Sequence, residues 1–198
     1  MKEIFEKIWE LALPYQDRRN DKGHAQTVLD YAFELLKIEN ADEDIVIPAV
    51  ILHDIGWSQL PKEERLSIFG DRLKKEDKIK VQKKHEEFGV KLAKEILGQV
   101  NYNKNLIDEI LEIISGHDTR EGFISKNEGV MRDADKLWRF SKKGFWIDIK
   151  RNNFTPEYLY ERLKLKIDSP NFFYFETAKK IAREEEEKRK QEFQGAQN

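Results

Sequence analysis

The sequence predicts an all-α protein, a single domain that folds as a bundle of helices over residues 1–198. Three observations lead to this prediction. Apolar residues recur at three- and four-residue spacing in nearly every segment, and no segment alternates as a strand would. Helix-stop signals, among them Pro14 and Gly98, fall where these segments end. The length is enough for one hydrophobic core. We expect a core over about residues 18–140, with C-terminal helices over about 145–195 packed on it.

The individual helices follow from their apolar faces and end signals. Pro14 ends the first helix, Asp44 is the expected N-cap of the third, and Gly98 ends the fourth long one. Thr155 and Pro156 give the cap and first-turn proline of a later helix. The expected helices cover about residues 4–13, 21–38, 45–57, 62–68, 78–97, 105–117, 127–138, 155–167 and 172–193.

Composition excludes several classes of function. The chain has 36 Lys and Arg against 38 Asp and Glu, and this balance argues against charge-driven binding to a nucleic acid polymer. The chain has no cysteine, which excludes disulfides, thiol catalysis and Cys-ligated zinc. No apolar run approaches the roughly 20 residues that span a bilayer, and the N-terminus is amphipathic. We expect a cytoplasmic protein without a membrane partner. Its oligomeric state stays open, with a homodimer as one option.

One stretch stands out, IVIPAVILHDIGW at residues 45–57, because an apolar run ends in adjacent His53 and Asp54. Burying an imidazole and an ionised carboxylate without partners costs several kcal/mol or more, on the order of the measured transfer penalties. Adjacent residues on a helix point about 100° apart. Both side chains therefore reach the interior only near a helix end or widened turn, and Gly56 is consistent with such an end.

All four histidines, and one further aspartate, lie in phase with core residues of different predicted helices. A single buried histidine is usually a hydrogen-bonded structural residue. The joint pattern favours a metal centre, because one ion would give every inward side chain a partner, as in metal sites of helical bundles. Neutral imidazoles and carboxylates suit Fe, Mn, Co, Ni or Zn. The candidate ligands are His24, His53, Asp54, His85, His117 and Asp135.

The same residues, in this order, resemble the HD-domain superfamily of metal-dependent phosphohydrolases, over about residues 18–195. GHAQTVLDYAFEL is similar to the first His helix of the family and AVILHDIGW to its HD helix. HEEFGVKLAKEIL and ILEIISGHD are similar to the helices that carry extra histidines. VMRDADKLW is similar to the segment that ends in the last metal-binding aspartate, which maps to Asp135 and not to Asp133.

The resemblance implies a site and an activity. His24, His53, Asp54 and Asp135 would hold one divalent metal, and Asp54 could bridge to a second. The two remaining histidines, His85 and His117, would bind that second metal or contact substrate phosphate. Asp54, His85 and His117 are thus the expected catalytic residues. The implied reaction is attack of a metal-bound hydroxide on a nucleotide or another small phosphorylated metabolite.

The chain also departs from some branches of this superfamily. Inositol oxygenases and cyclic-dinucleotide phosphodiesterases carry Lys three residues after the HD aspartate, where this chain has Trp57. The Gly-Tyr-Pro signature of the phosphodiesterases is replaced by DTREGFIS after His117. Two alternatives to hydrolysis stay open: a di-iron oxygenase, which uses the same six ligands, and a regulatory module that binds metal without turnover.

A phosphohydrolase needs cations besides its metals to bind phosphate. Arg139 follows Asp135 by one helical turn and is the strongest candidate for substrate binding. Arg18 lies shortly before His24, and Lys84 directly precedes His85, so both are further candidates. The bulky aromatic residues nearby, among them Trp57 and Trp138, are expected mainly in the core.

Overall fold

The computed structural model describes residues 1–70 and 73–195, and within these ranges it contains ten α-helices and no strand. The all-α prediction is confirmed. Two short 3₁₀ helices, Leu13–Tyr15 and Ile55–Gln59, follow the first and third α-helices. The α-helices are α1 (Glu3–Ala12), α2 (His24–Leu36), α3 (Glu43–Leu52), α4 (Lys62–Leu66), α5 (Lys75–Gln99), α6 (Lys104–Ile114), α7 (Lys126–Leu137), α8 (Lys142–Asn152), α9 (Pro156–Ile167) and α10 (Glu176–Gly195).

Helix α3 is the centre of the fold. Every residue from Ile45 to Leu52 is buried, because α1, α2, α6 and α7 surround the helix. A helix that is apolar on all sides is stable only when it is enclosed in this way. Its N-cap is Asp42, whose carboxylate accepts the N–H of Asp44 at 2.9 Å. The expectation that Asp44 is the cap was wrong, because the helix begins two residues earlier than that cap implies, at Glu43.

One contiguous hydrophobic cluster connects the N- and C-terminal parts of the chain. It extends from Phe5 on α1 to Phe193 on α10 and includes the fully buried Trp138 and Phe140. Helix α10 packs on α7, α8 and α9. Burial of a large apolar side chain stabilises a fold by roughly 1.5–3 kcal/mol. The C-terminal helices therefore contribute to the same core as the helices that carry the histidines.

Two boundaries in the C-terminal part differ from expectation. The sequence pattern gave no separate helix for α8, which is capped by Ser141 and packs so closely that a Cβ on Gly144 would lie 1.9 Å from the Trp138 carbonyl oxygen. Helix α10 begins at Glu176 and not at residue 172. The preceding segment is held by Asp133, whose carboxylate accepts the N–H groups of Tyr174 and Phe175, each at 2.8 Å.

None of the helices in the described ranges combines the length and apolarity that a bilayer crossing would require.

Candidate metal centre

The HD pair lies where α3 changes into a 3₁₀ helix. The α-helix ends at Leu52, His53 is its C-cap, and Asp54 has φ −101° and ψ 0°. Adjacent side chains of a continuing α-helix would point about 100° apart, and the end of the regular helix at this point lets both side chains reach the centre. The prediction that the HD pair lies at a helix end is confirmed.

The turn after the HD pair lies backbone to backbone against α5. A Cβ on Gly56 would lie 2.0 Å from the His85 carbonyl oxygen and 2.4 Å from the Gly89 nitrogen. No side chain fits there, so glycine at this position permits the close approach. The contact brings His53 and Asp54 next to His85, which is fully buried on α5.

His24 is the first residue of α2 and is held by a capped helix start. Gly23 before it has φ +88°, a left-handed conformation that glycine adopts easily. The carboxylate of Asp17 accepts the N–H of Gly23 at 2.5 Å and that of Ala25 at 3.1 Å. These bonds satisfy backbone donors of the first turn, and they orient the His24 side chain towards the interior.

His117 lies in the turns just after α6, whose last residue is Ile114. The expectation that it occupies a helix face was therefore wrong. The buried carboxylate of Glu86 holds this turn, because it accepts the N–H groups of Asp118 and Thr119 at 2.9 and 3.1 Å and the Thr119 hydroxyl at 2.7 Å. Glu86 thus replaces the continuing helix in positioning His117.

The side chains of His24, His53, Asp54 and Asp135 form the first half of the centre. The Nε2 atoms of His24 and His53 lie 3.3 Å apart. Asp54 Oδ2 lies 3.2 Å from His24 Nε2 and 3.6 Å from His53 Nε2. Asp135 Oδ1 lies 3.3 and 3.5 Å from the same two nitrogens. The two imidazole nitrogens therefore face one oxygen of each carboxylate.

The second half of the centre uses the other oxygen of Asp54. Asp54 Oδ1 lies 3.7 Å from His85 Nε2 and 3.6 Å from His117 Nε2, and these two nitrogens are 3.3 Å apart. Asp118 Oδ2 lies 3.7 Å from His85 Nε2. Each half thus pairs two imidazoles with one oxygen of the shared Asp54 carboxylate.

The protonation of the histidines is set by backbone contacts and burial. Nδ1 of His53 and Nδ1 of His117 donate to the carbonyls of Val50 and Ile114, at 2.7 and 2.8 Å, which leaves Nε2 of each ring directed into the centre. Burial lowers the pKa of His85 to about 3, so this imidazole is neutral. Burial opposes charge on His117 as well, but its hydrogen bond to Asp54 raises the pKa to about 9.

The donor set fits divalent transition metals. Imidazole nitrogens 3.3 Å apart repel each other unless a proton or a cation lies between them, and here two such pairs face carboxylate oxygens. Ligands bonded to one ion at about 2.1 Å are separated by roughly 3.0–3.4 Å in octahedral or tetrahedral geometry. The observed separations of 3.2–3.7 Å are close to that range.

Two residues outside the ligand set fix Asp54. The guanidinium of Arg19 donates to Asp54 Oδ2, and the Trp57 indole N–H donates to Oδ1 at 2.9 Å. Burial would raise the pKa of Asp54, but Arg19 and His53 outweigh it and hold the pKa well below its usual range. Asp54 is therefore ionised and restrained on both oxygens.

The centre opens on a cavity of about 410 Å³. His117, Asp118 and Asp135 line it together with residues of α8 and α9. Among the described residues that line it, cations are more numerous than acids, and the acids are Asp118, Asp135 and Asp148. The cationic residues among the described ones are Arg19, Lys78, Arg132, Lys136, Arg139, Arg151, Arg162 and Lys166.

The three expected substrate-binding cations have different positions. Arg139 lines the cavity. Arg18 is exposed and donates to the Pro14 carbonyl, and it is not among the described residues that line the cavity; its neighbour Arg19 reaches the centre instead. Lys84 points to the surface, where its ammonium pairs with Glu64 at 2.6 Å. The placement of Arg18 and Lys84 gives neither one a contact with the cavity.

Sequence reasoning did not place Arg19, Trp57 or Asp118 at the metal centre. The second His-Asp pair, at His117 and Asp118, was a visible signal for Asp118. The position three residues after Asp54, which carries Lys in related branches, was the signal for Trp57. For Arg19 there was only its place in a basic pair before His24.

Comparison with known proteins identifies the family of the chain. The family model for the HD domain matches residues 22–139, more than half of the chain, so the chain belongs to the HD-domain family. A solved structure from an uncultured Thermotogales bacterium, described as a predicted HD superfamily hydrolase, superposes with a TM-score of 0.61 at 21% identity. The match covers 100% of this chain and 93% of that one, and it supports the fold. No curated protein sequence matches the chain significantly.

Proposed function

We propose that the protein is a metal-dependent phosphohydrolase that acts on a nucleotide or another small phosphorylated metabolite. One observation carries the proposal. The two oxygens of Asp54 each face a separate pair of imidazoles, and His117 and Asp135 of this centre also line a cavity in which cations outnumber carboxylates among the described residues. Membership of the HD-domain family supports a metal-dependent hydrolase in general terms. The cationic cavity supports a phosphorylated substrate in particular.

The residues have defined roles in this proposal. His24, His53, Asp54 and Asp135 would hold one metal, and His85 and His117 with Asp54 a second, with Asp118 within reach of His85. When bound, such metals lower the pKa of a coordinated water and neutralise phosphate charge. The protein itself fixes the ligands: Arg19 and Trp57 restrain Asp54, and Glu86 holds the turn that carries His117.

Substrate binding would rely on the cavity cations closest to the centre. Arg139 is half exposed, with 53% of its side chain accessible, so its guanidinium is free to contact a phosphate oxygen. Lys136, beside Asp135, lines the same wall. Burial lowers the pKa of Lys136 to about 8, which still leaves it mostly charged at neutral pH. Together these groups would orient an anionic substrate against the metal ligands.

The same donor set would serve a di-iron oxygenase, the first alternative. Trp57 occupies the position where inositol oxygenases carry Lys, and its N–H is committed to Asp54. The excess of cations in the cavity is an unusual surrounding for a neutral polyol and a favourable one for phosphate. These two observations favour hydrolysis.

The test is a screen of phosphate and pyrophosphate release with Mn, Co, Ni and Mg, on protein whose native metal has been measured by mass spectrometry. Asp54→Ala should abolish release and remove most of the metal, while circular dichroism shows an intact fold. Asp168→Ala is the matched control, because Asp168 is an exposed carboxylate that pairs with Arg183 away from the centre. Absence of release with every metal, or full metal content in Asp54→Ala, would contradict the proposal.

A further inference from the structure

A second group of cations lines the cavity away from the metal ligands. Arg151 belongs to α8, and Arg162 and Lys166 belong to α9. All three lie outside residues 22–139, the part of the chain that matches the HD-domain family model. These cations, hereafter the α8–α9 cation group, are therefore a feature of this chain's C-terminal region and not of the matched domain.

The side chain of Arg151 is buried, and only some of its N–H groups form hydrogen bonds. Its side chain is 8% exposed and contacts the ring of Phe69, with Cζ 4.1 Å from the ring centroid. Nε and Nη2 bind Asp148 Oδ1, both at 2.6 Å. Nη1 is buried without a hydrogen-bond acceptor in the described structure. A buried charged donor without a hydrogen bond is costly, and Arg151 lines the cavity, so an anion bound there would stabilise this guanidinium.

Arg151 is also connected to the metal centre through shared carboxylates. Asp21 Oδ2 lies 3.3 Å from Arg19 Nε and 3.7 Å from Arg151 Nη1. Arg19 in turn donates to Asp54. Since Asp21 and Asp148 are almost fully buried, this row of alternating charges holds both guanidiniums in fixed positions. The distance between Arg151 and the ligands around Asp54 is thus fixed, and a substrate could contact both at once.

Arg162 and Lys166 add further positive charge to the lining of the cavity. They are four residues apart on α9 and therefore on the same face, where Leu159 and Leu163 also line the cavity. Two like charges at this spacing slightly destabilise a helix. Among the described residues, no carboxylate is within ion-pair distance of Lys166. An anion bound between these side chains would remove the repulsion.

We propose that the α8–α9 cation group binds a second phosphate-type group of the substrate, while the first lies at the metal centre. The substrate class is then a small metabolite with two phosphate-type groups, either in one anhydride chain or separated by a spacer. This inference rests on the proposed function only for the cleavage of the first group. Binding of the second group follows from the cavity and its charges.

The test uses phosphonates, whose P–C bonds resist hydrolysis, so binding is measured independently of turnover. Methylene-, propane-1,3- and pentane-1,5-bisphosphonate are each compared with the matched alkyl monophosphonate by calorimetry on the full-length, metal-loaded protein. The variants are Arg162→Gln/Lys166→Gln and the control Lys164→Gln, an exposed cation of the same helix that does not line the cavity. Circular dichroism checks the fold of each variant.

We expect at least one bisphosphonate to bind wild type and Lys164→Gln about tenfold to 100-fold more tightly than its monophosphonate, because charge-assisted hydrogen bonds contribute this much. The double variant should reduce that ratio to near one. The best spacer distinguishes an anhydride chain, which the shortest probe mimics, from separated phosphates. A wild-type ratio near one for all three probes, or an unchanged ratio in the folded double variant, would overturn the inference. Failure of hydrolysis alone would affect only the proposed function.

Discussion

The indole of Trp57 lies flat against the imidazole of His85, with ring centroids 3.9 Å apart and planes inclined by 11°. The same indole donates its N–H to Asp54 Oδ1 at 2.9 Å. The Arg19 guanidinium also lies over this indole, with Cζ 4.7 Å from the ring centroid. Trp57 thus contacts a ligand of the second half of the centre and the carboxylate shared by both halves. It is a positioning residue for the candidate metal centre.

Trp57→Phe should keep the stacking on His85 and remove the hydrogen bond to Asp54. Loss of a hydrogen bond to a charged acceptor costs about 1.5–3 kcal/mol, so thermal stability should fall, and occupancy of the second metal should fall with it. Calorimetry and metal analysis measure the two effects. Trp146→Phe is the control, because Trp146 is partly exposed and pairs with Glu192. Unchanged metal content in Trp57→Phe would assign the indole to packing alone.

The number of metals can be tested with His85→Ala/His117→Ala. If the second half of the centre holds its own ion, this double variant should lose about one metal equivalent and keep one, because His24, His53, Asp54 and Asp135 stay intact. Mass spectrometry of protein saturated with Mn or Fe gives the count. Wild-type protein that never exceeds one equivalent would refute the two-metal arrangement and leave His85 and His117 as phosphate contacts.

Metal uptake should release protons. Because the pKa of His117 is raised to about 9, its imidazole is mostly protonated at pH 7, and only the neutral ring coordinates a metal. The proton must therefore leave on binding, and affinity should weaken as pH falls below about 9, by up to roughly tenfold per unit for one displaced proton. Titration of metal into weakly buffered protein measures the release. His117→Ala should release about one proton fewer, and an equal release would contradict the assignment.

Arg139→Ala should raise KM for a phosphorylated substrate about tenfold without loss of metal. The residue lines the cavity and is weakly restrained, with Nη1 4.0 Å from Asp148, so its removal takes away binding and leaves the centre intact. Loss of uniform binding raises KM and spares kcat. Arg183→Ala serves as the control, since Arg183 is exposed and pairs with Asp168. Kinetics indistinguishable from wild type would place Arg139 outside the substrate site.

The sequence predicted the helices and the inward residues best where the helical period is regular. His85 and Asp135 lie within helices, and their phase with core residues indicated their direction correctly. His53 and Asp54 can both point inward only near a helix end, and Gly56 indicated such an end in the sequence. The resemblance to the HD superfamily distinguished Asp135 from Asp133, and the structure shows why the two differ: Asp133 holds the start of α10.

Prediction from sequence failed where the chain is irregular. Arg18 and Arg19 lie in the segment before α2, where no helical period indicates which neighbour faces inward. The structure directs Arg19 to Asp54 and Arg18 to the Pro14 carbonyl. Lys84 could have been excluded from helix geometry, because it lies about 100° away from the inward His85 on the same helix. Helix α8 has a weak apolar pattern, and its N-cap Ser141 was the only residue that indicated the start of a helix there.

The contact of Gly56 with the main chain of α5 has a consequence for how the metal centre varies. Side-chain contacts adapt through rotamers, whereas two backbones in direct contact leave no such freedom. The spacing between the His24–His53 pair and the His85–His117 pair is therefore set by the main chain. A side-chain substitution around the centre should therefore change its charge or acidity and leave this spacing unchanged.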